Sequence, residues 1–194
     1  MIAVCVDPEK KTVTETNTIK GRTVWKLHSG TLGTIVLAIR RPGWLFCREQ
    51  ALALSVLAAQ QDLEKEFGII GVLKEIVDEK GVLEFHDKCF HFPLYCDKMY
   101  AFYHALGDRK VGASFVLHPK SIVGLMCETY SRMTSNEHGG TIKGEGLTLG
   151  GIVIFDTTGK SVYAYEEELG KDLPVKDLLA VIHSMRRDMI QDKL

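Results

Sequence analysis

The stretch from Thr34 to Leu73 constrains this chain more than any other. Thr34-Ile35-Val36-Leu37-Ala38-Ile39 is an unbroken, largely β-branched apolar run, the pattern of a strand buried on both faces in a parallel sheet. Arg40-Arg41-Pro42-Gly43 stops it. Leu52, Val56, Ala59, Leu63 and Phe67 then recur at helical spacing, which predicts a helix from about Phe46 to Phe67 with Gly68 as its C-cap. Ile69-Ile70-Gly71-Val72-Leu73 is a second buried strand. Strand, helix, strand at this spacing is a βαβ unit, whose crossover is right-handed.

The remaining segments extend that unit. Residues 1–33 form a strand-rich lead-in with polar turns at Glu9-Lys10-Lys11 and Lys20-Gly21-Arg22. A short helix is expected at Val82–Phe85, and a third strand through Phe92, Leu94 and Tyr95, near an edge because of Pro93. Helices follow over Lys98–Leu106 and from Pro119 to about Met133. A glycine-rich stretch, Gly139-Gly140 and Gly144-Glu145-Gly146, ends at Gly150-Gly151. Ile152–Phe155 and Ser161–Tyr165 flank the turn Asp156-Thr157-Thr158-Gly159 as a hairpin. The last helix runs from about Pro174 to Arg187, with Leu178, Val181, Ile182 and Met185 inward. This order describes an α/β fold with a mixed sheet flanked by helices, and 194 residues suit one domain over 1–194.

Charge and cysteine content narrow the function classes. A formal net charge of −1 without clustered Lys and Arg argues against a nucleic-acid partner. No apolar run approaches the roughly 18 residues of a membrane span. Met1-Ile2-Ala3-Val4-Cys5-Val6-Asp7 has neither the basic nor the long apolar region of a signal peptide. The five cysteines, an odd and scattered set, favour reduced thiols in a cytoplasmic compartment, or in an organelle if a transit segment has been removed.

The segment Arg40 to Gln50 carries the most chemistry. It leaves the carboxyl end of a buried strand, where α/β sheets gather their ligands, and enters a helix. Cys47 would lie in that helix's first turn, where unpaired N–H groups favour a thiolate, with Arg40, Arg41 or Arg48 close enough to stabilise it. On this reading Cys47 is the most acidic cysteine of the chain; the alternative is an inert core thiol. His86, Cys89, His91 and Cys96 are zinc-type ligands, but their spacing fits no familiar zinc pattern, so no metal and no other cofactor is expected. Glu166-Glu167-Glu168 reads as a solvated loop. Tyr95, Tyr100, Phe102 and Tyr103 suit either a pocket or the core.

Arg-Arg-Pro-Gly-x-x-x-Cys-Arg-Glu, residues 40–49, resembles the active-site segment of the peroxiredoxin-like 2 family, AhpC/TSA-type antioxidant proteins related to selenoprotein U. Gly144-Glu145-Gly146-Leu147-Thr148-Leu149-Gly150-Gly151-Ile152-Val153 resembles the family's glycine-rich entry to a core strand. The resemblance covers roughly Thr18 to Arg187. It implies a thioredoxin-like, three-layer α/β/α fold with a mixed central sheet. It also implies a thiol oxidoreductase: Cys47, with Arg41 and Arg48, as the catalytic set, and Pro42, Gly43, Trp44 and Gly150 facing substrate. Trp44 stands where the family usually has the first cysteine of Cys-x-x-Cys. No disulfide can close inside this motif, so turnover would draw on an external thiol of thioredoxin or glutathione type or on a distant cysteine. The rival expectation is a non-catalytic thioredoxin-fold subunit that assembles with a protein partner.

Overall fold

The computed structural model describes residues 2–7, 12–18, 30–97, 100–110, 124, 127, 148–168 and 171–191. The helix expected from Pro119 to Met133, the polar turns of the lead-in and the glycines at 139–146 lie outside the described residues, apart from helical Gly124 and Cys127. One sheet organises the rest. Its strands are β1 (Ile2–Asp7), β2 (Thr12–Thr18), β3 (Gly33–Ile39), β4 (Phe67–Leu73), β5 (Leu94–Cys96), β6 (Gly151–Asp156) and β7 (Ser161–Glu166). They lie in the order β2-β1-β5-β4-β3-β6-β7. β3, β4 and β5 are parallel, and β6 joins β3 antiparallel with Ala38 opposite Gly151.

The chain steps from β3 to β4 to β5 in one direction across the sheet. Right-handed crossovers therefore put both connecting helices, α1 (Leu45–Gln60) and α2 (Glu79–Lys88), on the same face. They share it with the terminal helix α4 (Val175–Gln191), whose Leu178 and Ile182 pack into the same core as Ile35, Leu37 and Ile39. Burying each such side chain stabilises the fold by roughly 1.5–3 kcal/mol. The opposite face carries α3 (Ala101–Ala105), where Tyr103 and Leu106 cover Ala38 and Val153. The short helices at 79–88 and 101–105, the hairpin and the last helix fall where the sequence puts them.

Three expectations are corrected. α1 ends at Gln60, not near Phe67, and Leu63 and Phe67 belong to a single 3-10 turn and to β4. The stop is Asp62, which takes a left-handed conformation at φ 53°, and Gly68 lies inside β4. The buried stripe of α1 runs through Phe46, Ala51, Leu54, Leu57 and Ala58, while Val56 is 51% exposed. Ala51 to Ala59 is apolar nearly all round, so spacing alone permits two stripes, and the position of β3 chooses between them. The third strand is also not at an edge. β5 lies between β4 and β1, and Pro93 sits just before it, its carbonyl accepting from the Gly71 amide at 2.8 Å.

Candidate functional site

The site forms at the carboxyl end of β3. Trp44 is the N-cap of α1, with extended φ −86° and ψ 131° and no side-chain cap hydrogen bond. Its amide donates to the Arg41 carbonyl at 3.1 Å, and its carbonyl accepts from the Arg48 amide at 3.0 Å. This tight entry, shaped by Pro42-Gly43, places Cys47 in the first turn of the helix, as expected from the sequence. The thiol is buried, with 5% of the residue exposed.

The guanidinium that reaches the thiol is that of Arg40, which hydrogen-bonds to it beside a hydrogen bond from the Arg41 backbone. Arg40 is itself buried and pairs with the buried Glu167 at 3.4 Å. The other carboxylate oxygen of Glu167 accepts from the Gly150 amide at 2.7 Å, and the Gly150 carbonyl accepts from the Glu167 amide at 3.0 Å. Gly150 has to be glycine, because a Cβ there would stand 2.1 Å from the Ala38 carbonyl oxygen. β3, α1 and the two strands of the terminal hairpin thus meet in one Cys47–Arg40–Glu167 grouping.

The residues singled out in the sequence divide. Cys47 and Gly150 belong to this grouping. Arg41 contributes its backbone, while its side chain lies over the Trp44 ring at 5.7 Å, and Arg40 stands 5.1 Å from the same ring. Arg48 is fully buried, donating through Nε to the Pro42 carbonyl at 3.0 Å and pairing with Glu84 at 3.6 Å. It braces the Pro42-Gly43 turn against α2. Pro42 and Gly43 line, with Arg40 and Arg41, a cavity of about 20 Å³, room for a molecule of roughly water size. Glu167 is the residue of this grouping that sequence reasoning missed. It sits in a run of three glutamates that reads as solvated, yet it is 1% exposed. The signal that would find it is the need of a buried arginine for a carboxylate.

The electrostatics reverse one expectation. Burial pushes the Cys47 thiol above its ordinary value, and the negative charge of Glu167 adds to the rise. Arg40 and the two hydrogen bonds pull the other way without overcoming it. The helix terminus and arginines were expected to make Cys47 acidic; what the sequence does not show is that Glu167 already neutralises the nearest arginine and that the thiol is buried.

The zinc-type residues are spread over different elements, and Cys89 and His91, which alternation would put on one strand face, lie in no strand. Cys89 caps the end of α2 in the core, Cys96 ends β5, and the His86 and His91 rings stand 6.2 Å apart, edge to face. Among the described residues no group of three or more His, Cys, Asp or Glu side chains is arranged to hold a metal ion, and no helix is long and apolar enough to cross a membrane.

Solved structures share this fold at low sequence identity. A 2-Cys peroxiredoxin from Plasmodium vivax superposes with a TM-score of 0.53 at 11% identity, over 97% of this chain and 93% of that one. AhpC from Mycobacterium bovis gives 0.52 at 13%, over 95% and 91%. The family model described as AhpC/TSA antioxidant enzyme matches residues 53–168, a span that begins just after Cys47 and includes Gly150 and Glu167. Fold and family model together define a thioredoxin-fold protein of the redox type. Relatives named Peroxiredoxin-like 2A are 30% identical in Gallus gallus, over 92% of this chain and 75% of that protein, and 28% identical in Danio rerio, over 83% and 71%. The chain belongs to the peroxiredoxin-like 2 family.

Proposed function

We propose that this protein reduces peroxides or related substrates through Cys47, as a one-cysteine thiol oxidoreductase. The observation that carries the reading is the Arg40 guanidinium hydrogen-bonded to a thiol in the first turn of α1. A cation there stabilises both the thiolate and the oxygen that leaves. The thiolate attacks one peroxide oxygen, the O–O bond breaks, and the other oxygen departs with a proton as water or an alcohol. Cys47 is then a sulfenic acid. An external thiol condenses with it, releasing water, and a second thiol attacks the mixed disulfide and returns Cys47 to the thiol. Trp44 in place of a motif cysteine makes the external thiol, of thioredoxin or glutathione type, the source of electrons. The cytoplasm supplies such reductants and fits the reduced cysteines.

A second reading has its own support. The thiol is buried and shifted away from thiolate, and the Trp44 ring, where the family has a cysteine, is in contact with the Arg40 and Arg41 guanidiniums. These features suit a non-catalytic thioredoxin-fold subunit that assembles with a protein partner.

Peroxide consumption with a small external thiol separates the two. The first reading expects slow turnover that Cys47→Ser abolishes. It also expects Trp44→Cys to form a disulfide with Cys47 under mild oxidation and to accept electrons from a thioredoxin-type donor. The second expects no Cys47-dependent turnover at all, and a Trp44→Cys variant that loses only stability or partner binding.

A further inference from the structure

A second cavity opens at the same end of the sheet, on the face opposite α1. It measures about 340 Å³, within the range of small-molecule sites. Lys74, at the carboxyl end of β4, and Thr148, at the entry to β6, meet across the end of β3, with Lys74 Nζ donating to Thr148 Oγ1 at 2.7 Å. Tyr100 and Tyr103 supply flat aromatic walls, and Lys110 forms the lip. The lip is fixed by backbone: Lys110 bridges to Thr148, and the Leu149 amide donates to the Arg109 carbonyl at 2.8 Å.

We propose that this cavity binds a small organic oxyanion, a carboxylate or phosphate monoester on a flat apolar body. Among the described residues that line it are two ammonium groups, those of Lys74 and Lys110, and the carboxylate of Asp108, which is paired with His104 at 2.5 Å. Lys74 is held in place by Thr148 and by the Tyr100 ring, 5.0 Å from its ammonium. Tyr100 adopts a left-handed φ of 54° to stand there, a conformation that costs a non-glycine residue on the order of 1–3 kcal/mol. A pre-positioned ammonium beside aromatic walls suits an anion joined to a ring. Ligands of α/β folds bind outside the carboxyl ends of the strands, where this cavity lies. Tyr103 is its innermost wall, and its hydroxyl donates to the Ile39 carbonyl, one residue before Arg40, at 2.7 Å. The ligand would therefore lie behind the Cys47 grouping, although its binding does not depend on Cys47 chemistry.

Calorimetric titration with benzoate and with phenyl phosphate tests this, with benzamide as the neutral control. Saturable binding of at least one anion is expected, and the anion that binds tells carboxylate from phosphate. Benzamide should not bind. Lys74→Met and Lys110→Met should each weaken binding by about tenfold, the worth of one charged hydrogen bond. Cys47→Ser should bind as wild type does, so failure of the redox reading leaves this result intact. Lys110 is exposed, so Lys110→Met decides the matter even where Lys74→Met folds poorly. Saturation by neither anion, equal binding of benzamide, or wild-type affinity in folded Lys110→Met would overturn the proposal.

Discussion

The two ends of Tyr103 look onto two different kinds of charged site. On the α1 side, Arg40 and Glu167 are buried and paired with each other, Arg40 is turned to the Cys47 sulfur, and the cavity beside Arg40 is about 20 Å³. On the α3 side, Lys110, His104 and Asp108 are exposed around some 340 Å³. Buried charges cannot be left unpaired, so the first region spends its electrostatics internally, on setting the state of Cys47. Exposed charges cost little to hold ready, so the second region can offer them to a ligand. Poise and capture are thus divided between two faces of one sheet end.

The largest way to break this contrast is Arg40→Ala. It would leave Glu167 buried without its cation, which costs about 3–5 kcal/mol when one member of a buried pair is removed. Urea denaturation should show that loss, whereas the exposed Lys110→Met should leave the midpoint nearly unchanged. Tyr103→Phe acts on the residue that ties the cavity wall to the end of β3. Its hydroxyl donates to the Ile39 carbonyl at 2.7 Å and the Val72 carbonyl at 3.2 Å, so the variant should lose about 1–3 kcal/mol in the same assay.

Glu167→Gln sharpens the contrast; it leaves the buried Arg40 without its counter-charge, so it too should lose up to about 3–5 kcal/mol in the same assay. Glutamine keeps an acceptor for the Gly150 amide and removes the negative charge beside the thiol. The pH midpoint of Cys47 alkylation should fall relative to wild type; a midpoint that stays in place would mean that Glu167 does not set the thiol's state. The smallest effect is in the pH dependence of stability. The folded thiol keeps its proton to higher pH than the unfolded one, whose ordinary value is about 8.5. The native state therefore binds more protons above that pH, and its stability falls as the pH rises. Cys47→Ala should flatten this decline in the alkaline limb of a denaturation series.

How much of this was legible in the sequence depended on whether local chemistry was enough. β3, β4 and the Cys47 turn were legible because a buried strand, a Pro-Gly stop and a following helix are local signals. The inward face of α1 was not, because Ala51–Ala59 is apolar on too many sides and β3 decides which side is covered. Pro93 argued for an edge strand, but a proline just before a strand leaves β5 free to pair on both sides. In the site, Cys47 and Gly150 were found through motifs, whereas Glu167 and the orientation of Arg40 rather than Arg48 depend on contacts across more than 100 residues of chain. Tyr95 proved to be core, Tyr100 lines a cavity, and Tyr103 does both, a division that aromatic spacing could not make.

The central claim is that Cys47 is the thiol that peroxide oxidises. Brief treatment with equimolar peroxide, a sulfenic-acid trap and mass spectrometry of each cysteine tests it most directly. The account predicts trapped sulfenic acid at Cys47 ahead of Cys5, Cys89, Cys96 and Cys127, and loss of peroxide consumption in Cys47→Ser. Consumption that survives Cys47→Ser, or a trap that never labels Cys47, would contradict it.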